Sequence, residues 1–141
     1  MKAIIDTNVL SEARRPGGHP GVKRYLMQAD EDDLFISVIT LGELSHGIAK
    51  LEPSARQAEL ERWLAATERL FDSRLLPITR DVAVRWGRLT VQCARRGYAI
   101  GQSDALIAAT AVEHDLAVLT RNVRHFEPTG VTVIDPSQAA G

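Results

Sequence analysis

Five short apolar runs, each too brief for a helix and separated by longer stretches of helical periodicity, limit what this chain can fold into. They are Lys2 Ala3 Ile4 Ile5, Leu34 Phe35 Ile36, the weaker Arg74 Leu75 Leu76, Leu116 Ala117 Val118 Leu119, and Val131 Thr132 Val133 Ile134. Runs of this length with no polar alternation read as buried strands. Between them, Leu60, Trp63, Leu64, Thr67, Leu70 and Phe71 recur at helical spacing after Pro53, predicting one buried helix face. Val82, Trp86, Leu89 and Cys93 form a second stripe, opened by Pro77 and a Thr79 cap and closed near Gly97. An alanine-rich helix is expected over 104–114, after the Gly101 Gln102 Ser103 turn, with further helices over 20–29 and 38–50. Strands alternating with helices demand crossover connections, hence an α/β fold with a mainly parallel central sheet of about four or five strands and helices on both faces. Such sheets gather ligands at the carboxyl ends of their strands.

Length and composition set the outer limits. With 141 residues, 45% of them hydrophobic, the chain suits one domain, expected over 1–136 with a flexible tail over 137–141. No apolar stretch is long enough to cross a bilayer, and the opening MKAIIDTN meets a carboxylate before any signal-peptide core, so a cytoplasmic protein without membrane contact is expected. Cys93 is the sole cysteine, which excludes an internal disulfide and zinc-finger spacing; on an apolar stripe it reads as a packed thiol. A net charge of -1, from 17 basic and 18 acidic residues, supplies no global attraction for nucleic acid. Any such contact must come from local pairs: Arg14 with Arg15, Arg95 with Arg96, Arg121 with Arg124. On charge alone these describe a solvated surface.

Three acids stand out by position. Asp6 follows the first strand directly and so sits at the carboxyl edge of the sheet, where an N-cap or turn role competes with ligand binding. Glu43 lies among Ile36, Val38, Ile39, Leu41 and Leu44, and neither Ile39, Thr40 nor Gly47 at helical spacing offers it a partner. A carboxylate in such surroundings must be exposed, protonated, paired or metal-bound. Asp104 opens the alanine-rich helix, where the helix dipole favours an acid without further explanation. Their convergence on one sheet edge shifts the balance towards function. Oxygen donors without thiolates suit a hard cation, Mg²⁺ or Mn²⁺, which activates water and neutralises charge on a phosphodiester undergoing hydrolysis. No GKS/T phosphate loop, GxSxG elbow or HExxH pair supports a rival chemistry.

Four segments in order, IIDTNVLSE, ISVITLGEL, IGQSDALIAATA and LTRNVRHFEPTGV, resemble the PIN-domain family, and within it the VapC/FitB-like ribonuclease toxins of type II toxin-antitoxin systems. The resemblance implies a PIN-like α/β/α sandwich whose acids hold Mg²⁺ or Mn²⁺ and cut RNA. It matches Asp6, Glu43 and Asp104 to the principal acids, and Thr7, Asn8 and Thr120 to supporting polar residues. It further implies a homodimer, a cognate VapB-like antitoxin that covers the active-site groove, and operator DNA bound only through that antitoxin. Arg121 and Arg124, on a loop after a strand, then become candidate RNA phosphate contacts.

The chain departs from the family where many relatives carry a fourth acid, for His125 stands in its place within Thr120 Arg121 Asn122 Val123 Arg124 His125 Phe126. Neutral imidazole can ligate Mn²⁺ but suits Mg²⁺ poorly. Asn122 offers a neutral oxygen instead, and His125 also reads as a surface residue beside a core Phe126. Two alternatives to a ribonuclease follow: a catalytically weak PIN fold kept as a binding and regulatory module, and a HAD-like phosphatase with Asp6 as nucleophile. The phosphatase normally wants a second acid where this chain has Asn8.

Overall fold

The computed structural model describes residues 1–138; residues 139–141, the end of the expected tail, lie outside the described residues. Ser137, the first residue of the expected tail, is held by Asp135 Oδ1, 2.9 Å from its amide and 2.6 Å from its hydroxyl.

The strands are β1 (Ala3–Ile5), β2 (Leu34–Ser37), β3 (Leu75–Leu76), β4 (Ala117–Leu119) and β5 (Val133–Ile134). They form one sheet in the order β3-β2-β1-β4-β5, parallel throughout. The helices are α1 (Thr7–Arg14), α2 (Pro20–Gln28), α3 (Val38–Ala49), α4 (Ala55–Phe71), α5 (Arg80–Arg95), α6 (Gln102–Glu113) and α7 (Val123–Phe126). This is the α/β/α sandwich expected from the sequence, with all five apolar runs in strands.

Strand alternation builds two cores. Ala3 and Ile5 of β1 and Ala117 and Leu119 of β4 face one side, packed with Val9, Leu10, Val22, Leu44 and Phe71 from four helices. Ile4 and Val118 face the other, against Leu89 and Cys93 of α5, Ala105, Ile107, Ala108 and Ala111 of α6, and Phe126. The alanines of α6 lack bulk on any side, so this helix lies close to both the sheet and α5, and half of its residues are buried.

Local sequence accounts for most element ends. Thr79 caps α5 by accepting from Val82 N at 3.2 Å, and Gly97, at φ +79, ends it in the left-handed region. Several expectations need correction. α6 starts at Gln102, so Asp104 lies within its first turn. Leu70 is 56% exposed, because α4 ends there and the chain turns away through Asp72 at φ +45. Arg124 sits on the one-turn helix α7, anchored by fully buried Phe126, rather than on an open loop.

Candidate functional site

Moving outwards from β1, the chain forms β2 and β3 on one side before returning to form β4 on the other, so the order reverses between β1 and β4. Ligands gather in the crevice that such a reversal opens. Asp6 leaves β1 there and Thr120 leaves β4, and each is buried, at 5% and 0% exposure.

Asp6 is the N-cap of α1. Its Oδ1 accepts from Thr7 N at 2.9 Å and its Oδ2 from the Thr120 hydroxyl at 2.7 Å. Despite both bonds, its carboxyl titrates above the usual 3.8. Burial is the largest cause, and the charges of Asp104 and Glu43 push the same way. The sequence thus brings the three acids into one electrostatic neighbourhood.

Glu43 meets this site through α1. Its side chain is exposed, which removes the cost of burial that its apolar neighbours suggested. Its partner is not on α3: Thr7 Oγ1 lies 2.7 Å from Glu43 Oε1 and 3.2 Å from the buried Thr40 hydroxyl. Thr7 has one hydroxyl proton, which serves the carboxylate, so Thr40 donates in turn. Thr40 lies one helical turn before Glu43, and spacing alone had shown it as no partner.

Asp104, half-buried in the first turn of α6, stands 3.2 Å from His125 Nδ1. His125 therefore faces the acid cluster as well as standing beside Phe126. Asn122 is exposed, and its amide donates to Thr120 Oγ1 at 3.0 Å. Asn8 links two elements, with Nδ2 3.5 Å from Thr120 Oγ1 and Oδ1 accepting from Arg121 N at 3.4 Å. Arg124 is exposed on α7, whereas the Arg121 guanidinium lies 3.4 Å from Glu12.

Glu12 went unread in the sequence. It stands one turn along α1 from Asn8, and that spacing was the available signal. It accepts from His19 N at 2.7 Å and pairs with Arg15, and these contacts hold its carboxyl below the usual 4.5.

Among the described residues, no group of three or more His, Cys, Asp or Glu is arranged to grip an ion by itself. The donor chemistry nevertheless suits a small hard cation. Mg²⁺ commonly engages one or two carboxylates and keeps several waters. Asp6 faces the charges of Asp104 and Glu43, and a small hard cation held among the three would offset that repulsion.

The PIN domain model matches residues 3–130. Among curated relatives, Toxin FitB of Neisseria gonorrhoeae is 34% identical over 134 residues, covering 94% of this chain and 96% of its own. VapC ribonuclease Y4jK of Sinorhizobium fredii is 31% identical, over 97% and 99%. A solved structure of FitAB bound to an IR36 DNA fragment superposes with a TM-score of 0.93 at 30% identity, over 99% of this chain and 98% of that one. With the family match spanning nearly the whole sheet and the acid cluster, this chain belongs to the PIN domain family.

Proposed function

We propose that the chain is the toxin of a type II toxin-antitoxin pair, an endoribonuclease that hydrolyses RNA phosphodiester bonds with Mg²⁺ or Mn²⁺ held by Asp6, Asp104 and Glu43. The observation that carries this reading is the buried Asp6 carboxylate, raised in pKa by burial and by two facing acids. Similarity to a protein named a VapC ribonuclease and to one named a toxin supports it.

When bound, the cation supplies a more acidic water and offsets charge on the scissile phosphate. The chain's own residues set the stage for that chemistry. The Thr7 amide and Thr120 hydroxyl fix both oxygens of Asp6, so the carboxylate cannot rotate away. The Thr7 hydroxyl holds Glu43 at the same edge, joining α1 to α3. Asn8 ties the loop after β4 to α1, keeping Thr120 in reach of Asp6.

A cognate VapB-like antitoxin covering this groove, a homodimer, and operator DNA engaged only through the antitoxin belong to the same proposal. Likeness to FitAB solved on DNA supports the last of these. Among the described residues no helix is long and apolar enough to cross a membrane.

One observation favours the second reading, a catalytically weak module: His125 lies against Asp104, at the position where the family resemblance implies a fourth acid in many members. The two readings separate when antitoxin-free protein is incubated with total cellular RNA and Mg²⁺, Mn²⁺ or EDTA, beside Asp6→Asn. Discrete metal-dependent products absent from Asp6→Asn are expected; intact RNA with every metal would leave the binding module.

A further inference from the structure

Beside the acid cluster opens a polar cleft of about 540 Å³, lined by Asn8, Glu12, Arg14, Arg15, Arg121 and Asn122 among others. It carries three guanidinium groups against one carboxylate, in a chain whose net charge is -1. Glu12 organises it. Its side chain is only 13% exposed, while those of its partners Arg15 and Arg121 are 55% and 37% exposed. Each guanidinium has five N–H donors, and one carboxylate engages only some of them, so both retain donors for a ligand in the cleft they line.

The frame around Glu12 is tightly built. The loop between α1 and α2 folds back so that His19 N reaches Glu12 Oε1 at 2.7 Å. Gly18 makes this approach possible, since a Cβ there would lie 1.9 Å from the Glu12 carbonyl oxygen. Arg121 arrives from the loop after β4 and is fixed twice, by Asn8 at its amide and by Glu12 at its guanidinium. Asn8 also touches Thr120, the hydroxyl donor to Asp6, so the cleft adjoins the acids. A polyanion approaching three carboxylates needs fixed positive charge alongside them, and arginine meets phosphate with a planar fork.

Building on the ribonuclease reading, we propose that this cleft is a subsite for a backbone phosphate flanking the bond that is cut, with Glu12 as the positioning residue that presents Arg15 and Arg121 to it. Bare charge and positioning predict opposite outcomes at Glu12: removing its charge strengthens attraction if only net charge matters, and weakens binding if it aims the arginines.

The test uses the full chain carrying Asp6→Asn, so that the probe stays intact, and follows a fluorescent single-stranded RNA by anisotropy from about 50 to 200 mM salt. Arg121→Gln and Arg15→Gln should each weaken binding about tenfold and lower the salt slope by about 0.7, the loss of one phosphate contact. Glu12→Gln should also weaken binding, and Arg121→Lys should restore part of it. Melting curves of each variant verify that the fold is kept. Unchanged affinity and slope in Arg121→Gln, or tighter binding in Glu12→Gln, would overturn the subsite. So would arginine variants that lose only their grip on an acidic segment of the protein partner. Cleavage by the wild type is scored separately: a chain that binds RNA through these arginines and cuts none refutes the nuclease and leaves the cleft standing as an RNA phosphate site alone.

Discussion

At the scale of the residue, Asp6 sets a conflict between stability and function. A carboxyl whose folded pKa is raised binds its proton more readily in the folded chain than in the unfolded one. Stability therefore falls as pH rises from the unfolded value of 3.8 through the folded one, and the penalty is complete above the folded value. Asp6→Asn keeps an oxygen to cap α1 and removes the charge. It should abolish cleavage while melting no lower than the wild type in EDTA, as scanning calorimetry would show. A clear drop in its melting temperature would mean that the Thr120 and Thr7 bonds outweigh the repulsion. Thr7→Val removes the hydroxyl that ties Glu43 to Thr40, a charged hydrogen bond of about 1.5 kcal/mol or more. Initial rates on RNA should fall at least about tenfold in Thr7→Val and stay near wild type in Thr7→Ser. The positions of Asp6 and Asp104 were legible because a strand end and a helix start leave local marks. The partner of Glu43 was not, because helical spacing reveals neighbours three or four residues away and Thr7 is 36 residues distant.

At the scale of the element, helix ends hold the chain's avoidable strain and its closest approach. α6 ends at Glu113, and Asp115 follows at φ +55, a left-handed position that glycine occupies more easily. Asp115→Gly should stabilise the fold by about 0.5 kcal/mol, the relief of a 1–2 kcal/mol conformational strain less the added entropy of the unfolded glycine. Denaturant midpoints would reveal it; a lower midpoint means that Asp115 has a contact worth more. Gly18 is the reverse case. Gly18→Ala meets the α1 backbone and must displace the loop, costing about 1–3 kcal/mol and loosening Glu12, so melting temperature and RNA affinity should fall together. The strands were legible down to the two-residue β3, and five helices with them, since apolar runs and amphipathic stripes are local; α1 was not among them, because Val9 and Leu10 are its only buried residues and make no stripe. α7 was not, for one turn of helix has no periodicity, and it exists because Phe126 is buried beneath it.

At the scale of the whole molecule, the sheet order is what makes a site. The β1/β4 reversal places donors from both ends of the sequence in one crevice, and a cation there would join them. Manganese should therefore raise the melting temperature in a concentration-dependent way, approaching about 2.7 kcal/mol at a hundredfold excess over its dissociation constant. EDTA should reverse the rise and Asp104→Asn should lack it; an identical rise in Asp104→Asn would place the ion elsewhere. Parallel order was inferable from alternation, but which strands become neighbours depends on long-range packing.

The Asp6 to Thr120 bond spans 114 positions, and during synthesis it imposes a delay. A chain emerging at about 5–20 residues per second exposes Asp6 several seconds before Thr120 exists to fix it. Until then β1 lacks one of its two neighbours, and the crevice has only one wall. On the ribonuclease reading, a nascent or prematurely terminated chain that lacks Thr120 also lacks the second wall of its own site, and it should cut no RNA until β4 is in place.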